Sequence, residues 1–156
     1  MFKHDGEEYY IPHERPEEAY AILDEFIGLC GRLDAPCWVY MGTALGFYRD
    51  GGWNRWDRDI DVIILTEHWA AVKEAMLGLG YETLPYTMHF FNEQRILLNV
   101  TSIDRLEKDF SGHTQLECNG KWYRGPDHIE EYLEESYGKD WRIPTPPDDF
   151  EEWWIE

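Results

Sequence analysis

Apolar residues recur at helical spacing from Ala19 through Ile22, Leu23, Phe26, Ile27 and Cys30, directly after Pro16-Glu17-Glu18. Proline in a first turn and acids at the positive end of the helix dipole are start signals, so the pattern predicts a helix from residue 16 that stops near Asp34-Ala35-Pro36. The apolar run Cys37-Trp38-Val39-Tyr40-Met41 is then short enough for a buried strand, and it delivers the chain to Gly42. Thr43 is the expected cap of a short helix through Tyr48, which Asp50-Gly51-Gly52 breaks. Asp59 to Leu65 is the next strand, six of its seven residues being Asp or β-branched. Thr66 caps a further helix on which Trp69, Val72, Ala75, Met76 and Leu79 share a face up to Gly80.

Tyr81 to Tyr86, Met88 to Phe91 and Arg95 to Ile103 alternate as strands and predict an antiparallel extension of the sheet. Asn119-Gly120, between Gln115-Leu116-Glu117-Cys118 and Lys121-Trp122-Tyr123-Arg124, is a two-residue hairpin signal. Pro126-Asp127 opens a last helix, where Ile129, Tyr132, Leu133 and Tyr137 share a face before Gly138. The order predicts an α/β (α+β) fold with a mixed, mainly antiparallel sheet flanked by helices. Residues 1–15 read as a polar arm without a period, 16–146 as one domain, and 147–156 as an acidic aromatic tail that the pattern does not place.

Composition narrows the class. A chain of 156 residues suits one domain with a real core, and an apolar share of 43% with eight Trp, ten Tyr and seven Phe excludes general disorder. The formal charge is −18, and no stripe of Lys or Arg follows the chain, so long nucleic acid is not an expected partner. Cys30, Cys37 and Cys118 are an odd number without zinc-type spacing and read as reduced core residues. No stretch reaches the ~20 apolar residues of a membrane span, and the first eight residues lack the apolar region of a signal peptide. The expectation is a cytoplasmic protein without a membrane span.

The chemistry concentrates in Trp56-Asp57-Arg58-Asp59-Ile60-Asp61-Val62. Side chains two apart in a strand point the same way, which sets Asp59 and Asp61 roughly 6 to 7 Å apart on one face. Two carboxylates at that distance repel by roughly 2 kcal/mol at an effective dielectric near 20, and a Mg²⁺ or Mn²⁺ between them reverses that cost. Asp59 and Asp61 are therefore the candidate metal ligands. Asp57 either extends the same face or serves the turn before it. Gly42 and Thr43, between a strand end and a helix start, form a candidate phosphate turn in which backbone N–H groups approach closely and the Thr43 hydroxyl donates. Arg49, and Arg55 or Arg58 in the loop, are candidate phosphate contacts, although each can pair instead with one of the 32 acids.

Three stretches together resemble the LicD branch of the nucleotidyltransferase superfamily, which includes the fukutin-related proteins. They are Met41-Gly42-Thr43-Ala44-Leu45-Gly46-Phe47-Tyr48-Arg49 with Gly52 and Trp56-Asp57-Arg58-Asp59-Ile60-Asp61; Asn99-Val100-Thr101-Ser102-Ile103-Asp104; and Tyr132-Leu133 through Tyr137-Gly138-Lys139-Asp140-Trp141 with Pro144. The likeness spans about residues 16 to 146 and implies a nucleotidyltransferase-like core. It implies a two-metal-type site that transfers a phospho-alcohol, such as phosphocholine or ribitol phosphate, from a CDP-linked donor to a sugar hydroxyl. Carried over by residue, Asp59 and Asp61 hold Mg²⁺ or Mn²⁺, Gly42 and Thr43 form the phosphate turn, and Arg49 is the candidate donor contact. The position aligned with Asn99 usually bears an acid; an amide can bind a metal but takes no proton at neutral pH. Asp104, five residues on, is the candidate substitute for that third catalytic acid. Arg58 likewise stands where the pattern often has another acid.

Two other readings share these residues. The aspartate pair equally supports transfer of a nucleoside monophosphate from an NTP to a small alcohol such as an aminoglycoside, and Asn99 motivates a degenerate domain that binds without turnover. Trp53, Trp56 or Tyr48 would suit the quaternary ammonium of choline. His89 and His113 are further candidates for a base.

Overall fold

The computed structural model describes residues 1–85 and 87–154. The polar arm is a hairpin, β1 (Phe2–His4) with β2 (Glu7–Tyr9), turned by Asp5 and Gly6 at φ 51° and 82°. Helix α1 (Pro16–Arg32) buries Ala19, Ile22, Leu23, Phe26, Leu29 and Cys30. Strand β3 (Cys37–Val39) is two residues shorter than the apolar run, because Met41 turns to φ 45° and begins α2 (Met41–Leu45). A π-helical turn, Gly46–Asp50, continues α2 until Gly51 at φ 68° stops it. Strand β4 (Asp59–Leu65) has the predicted bounds, and a 3₁₀ turn, Thr66–His68, leads into α3 (Trp69–Gly78).

Next come β5 (Glu82–Thr83), β6 (His89–Phe91), β7 (Leu97–Ile103), and the ribbon of β8 (Thr114–Cys118) with β9 (Lys121–Gly125). Tyr86, the expected end of the strand from Tyr81, lies outside the described residues, as do tail residues 155 and 156. Asn119 and Gly120 both have positive φ, 54° and 72°, as the hairpin signal requires. The last long helix, α4 (Ile129–Tyr137), starts three residues after Pro126, since His128 at φ 49° precedes its first turn. The tail forms a short helix, α5 (Phe150–Trp153), and Trp154 bridges to Phe2.

The five-stranded sheet has the order β3-β4-β7-β6-β5, in which only β4 and β7 are parallel. Its antiparallel majority matches the predicted class; the parallel join is the exception, made by the crossover through α3. Ile60, Val62 and Ile64 of β4 and Leu98 and Val100 of β7 are buried in one cluster with Phe26, Val72 and Met76. The alternate positions of β4 put Asp59 and Asp61 on the opposite face. A second cluster joins Phe2, Tyr9 and Ile11 to Leu84, Phe91 and Leu97, with Trp153 and Trp154 against it. The arm and the tail thus pack together beside the N-terminal end of β7. Leu98→Ala, in the middle strand with no exposure, is expected to lower stability by about 2–5 kcal/mol in urea unfolding. Trp122→Ala, on β9 and 63% exposed, should stay within about 0.5 kcal/mol of the parent.

Candidate functional site

The start of β4 is pinned to α2 by one hydrogen bond: the Asp61 N–H donates to Thr43 Oγ1 at 2.8 Å. Thr43 is fully buried and lies inside α2, with Tyr40 rather than Thr43 at the cap position. Its side-chain oxygen therefore serves the strand that carries the aspartates. The residue before Gly42 carries the strain of the turn: Met41 is left-handed without being glycine, and its N–H donates to Tyr132 Oη at 3.0 Å. That bond docks α4 on the turn between β3 and α2.

Gly42 is required by close approach. A Cβ built on it would fall within the Asp57 carboxylate. Asp57 is held there by the loop, where Asn54 is buried, its carbonyl accepting from the Asp57 N–H and its side chain from the Trp56 N–H. Burial, reinforced by the charge of Asp59 and opposed by Arg49, pushes the Asp57 carboxyl up to about 8. Asp61 is also raised, first by burial and then by Asp59 and Asp57, against a hydrogen bond from Asn99. Tyr137 is raised by burial and then by the charges of Asp57 and Asp61, and Tyr40 by burial with smaller contributions from Asp61 and Asp59. Two phenols therefore flank three crowded carboxylates.

Two clefts meet at Asp57 and Trp56. One, of about 460 Å³, is lined by Arg49, Asn54, Tyr137, Asp140 and Trp141. The other, of about 390 Å³, adds Arg58, Asp59, His89, His4 and Trp153. Arg49 is 9% exposed and spends three of its five N–H groups, two on Asp50 and one on the Trp141 carbonyl. Arg58 stands at the other cleft with its guanidinium 5.1 Å from the Trp153 ring centre, so the two arginines do not converge on one point. Trp53 is core, 4.9 Å from the Tyr20 ring and 5.0 Å from Phe47, while Tyr48 stacks outward toward Trp141. Of the three rings suited to a quaternary ammonium, Trp56 lines both clefts, whereas Trp53 packs in the core and Tyr48 lies against Trp141.

Asp104 is not brought to the aspartates. It follows the far end of β7 and accepts from the Thr66 hydroxyl at 2.9 Å, roughly 16 Å along the strand from Asn99. Asn99 itself lies beside Asp61 and donates from Nδ2 to Asp61 Oδ1 at 3.3 Å. His89 Nε2 sits 2.8 Å from Asp59 Oδ2, whereas His113 lies on the surface before β8. Among the described residues no group of three or more His, Cys, Asp or Glu side chains stands where it could hold a metal. The same residues contain no helix long and apolar enough to cross a membrane.

Tyr40 and Trp153 influence or line the site without a signal in their own spacing, because strand pairing and tail docking bring them there, whereas Tyr137 and Trp141 arrive with α4 and belong to the stretch that carries the family resemblance. The Gly42–Asp57 contact makes a direct expectation. Gly42→Ala should lower stability by about 1–3 kcal/mol, and in an Asp57→Gly background most of that loss should vanish when both are followed by urea unfolding.

No curated protein matches the chain by sequence. Among solved structures it is similar to the lincosamide antibiotic adenylyltransferase LnuA, lincomycin-bound, with TM-score 0.56 and 17% identity over 83% of this chain and 97% of that one. It is also similar to ANT(2")-Ia in complex with adenylyl-2"-tobramycin, with TM-score 0.52 and 18% identity over 69% of this chain and 68% of that one. At such identities the likeness establishes a nucleotidyltransferase fold. The sequence model described as LicD/FKTN/FKRP, nucleotidyltransferase domain, matches residues 34–126, a span that holds α2, the whole aspartate run, Asn99 and His89. With more than half of its length matched, the chain belongs to the LicD/FKTN/FKRP family of nucleotidyltransferase domains.

Proposed function

We propose that the chain is a divalent-cation-dependent transferase that moves a phospho-alcohol from a CDP-linked donor to a hydroxyl acceptor, a carbohydrate by the family's pattern. The observation that carries this reading is the placement of Asp59 and Asp61 on one face of β4, with Asp59 in the wall of the second cleft, which meets the first at Asp57. The residues fit a Mg²⁺ or Mn²⁺. Burial and mutual repulsion raise Asp57 and Asp61, with Arg49 the cation that opposes the rise at Asp57. Mg²⁺ is commonly bound by one or two carboxylates plus substrate phosphates, and Asp59 and Asp61 supply the two. Bound there, the cation would neutralise charge developing on the phosphoryl oxygens.

The chain's own part is orientation and proton transfer. Thr43 fixes the strand, and Gly42 leaves room for Asp57. The acceptor oxygen forms a bond to the phosphorus that carries the alcohol, the bond from that phosphorus to the bridging oxygen breaks, and CMP leaves. Asp57, which lines both clefts, is assigned the hydroxyl proton. Arg49 and Arg58 keep N–H groups for phosphate oxygens in the first and second cleft.

A second reading, transfer of a nucleoside monophosphate from an NTP to a cationic alcohol, draws support from Asp140 and Asp149, which add one acid to each cleft. Thermal unfolding with CTP, ATP, CDP-choline and CDP-ribitol, with and without Mn²⁺, separates the two. CDP-linked compounds should raise the midpoint only with Mn²⁺, and Asp59→Asn should abolish the rise. Pyrophosphate release from an NTP would favour the second reading, and binding without turnover a degenerate domain. If no nucleotide shifts the midpoint in a metal-dependent way, the transferase reading fails.

The raised carboxyls also set a pH dependence. A folded-state pKa above the unfolded value gives stability that is full below the ordinary carboxylate range and lost as pH rises through about 8. The metal-free midpoint should therefore fall between about pH 5 and about pH 8, and Asp57→Asn should flatten that fall.

A further inference from the structure

The strand registers align three side chains across the sheet: Asp61 pairs with Asn99, and Asn99 with His89. Paired residues on neighbouring strands emerge from one face, and Asp59, two residues before Asp61, shares it. Each aspartate then meets one nitrogen from a neighbouring strand. Asn99 Nδ2 donates to Asp61 Oδ1 at 3.3 Å, and His89 Nε2 lies 2.8 Å from Asp59 Oδ2. The Asn99 amide donates from Nδ2, and His89 donates from Nε2 in the tautomer that carries its hydrogen there and faces an ionised Asp59. Among the described residues His89 Nδ1 is buried with no hydrogen-bond partner, and Asp59 is the polar anchor of that ring.

We propose that Asn99 and His89 are positioning residues that each hold one oxygen of Asp61 and Asp59, and that the site so framed takes one divalent cation. This rests on the transferase reading above. The other oxygens, Asp59 Oδ1 and Asp61 Oδ2, would then face the ion, and donor phosphates would supply further ligands. A second ion beside the first would call on a third carboxylate in the same row. That position is Asn99, and its N–H end is turned into the site, where it repels a cation. Hydrogen-bonded partners of this kind orient the ligand itself, and their loss typically weakens metal affinity about 10–100-fold.

The test is Mn²⁺ binding to the full chain, read by loss of the free Mn²⁺ paramagnetic resonance signal, with CTP present as the phosphate probe. The parent should bind one Mn²⁺ per chain. His89→Ala should weaken binding about 10-fold or more, and His89→Gln, which restores an N–H near the Nε2 position, should recover most of it. Asn99→Asp should add a second Mn²⁺. Unfolding midpoints without metal show which variants fold, and if His89→Ala does not, His89→Gln and Asn99→Asp carry the test. Two Mn²⁺ per parent chain, or unchanged affinity in His89→Ala while Asp59→Asn abolishes binding, would overturn this inference and leave the transferase reading standing. No Mn²⁺ on the parent chain would sink both.

Discussion

Everything at the site depends on the parallel pairing of β4 with β7. A parallel pair needs a crossover, here supplied by α3 and the segment after it, and both strands of the pair are interior to the sheet. Its register sets Asp61 beside Asn99 and, through β6, within one strand of His89. Shifting that register by one residue would turn Asp59 and Asp61 into the apolar cluster and Ile60 and Val62 onto the polar face. The buried set of Ile60, Val62, Ile64, Leu98 and Val100 is therefore what holds two like charges side by side.

Crowded carboxylates are an unstable arrangement unless their surroundings are fixed. Thr43, Met41 and Asn54 do this with backbone contacts: Thr43 accepts the Asp61 N–H, the Met41 N–H is held by Tyr132, and Asn54 accepts from Trp56 and Asp57. The raised Asp57 and Asp61 lie beside the left-handed Met41 in this small region, while left-handed backbone recurs elsewhere, at Asp34, Arg95 and His128. It is the gathering of shifted carboxyls that marks a functional site. The remainder of the chain, with its two aromatic and aliphatic clusters, supplies the rigidity that tolerates it.

Much of this was legible in the amino-acid order because it is local. The bounds of β4 followed from alternating Asp and β-branched residues, and the β8–β9 turn from Asn119-Gly120. Asp5-Gly6 carries the same kind of turn signal, but the polar residues around it hid a ribbon whose burial comes from Leu84, Phe91 and the distant tail. Asp104 stands away from the aspartates because closeness in the chain is not closeness in space: an extended strand carries five residues out of reach. His89 and Trp153 could not be located without strand register and tail docking, which depend on contacts made far away in sequence.

The contact between Gly42 and Asp57 has a meaning for descent as well as for shape. A glycine beside a phosphate turn invites explanation by the ligand, yet here the neighbour that forbids a side chain is another residue of the same chain. The two positions are thus a single heritable unit. In a lineage that lost the aspartate, residue 42 would be released to drift toward alanine or serine with its ligand unchanged. In one that kept the aspartate, that drift would stay closed, so the history of one position can be read from the other.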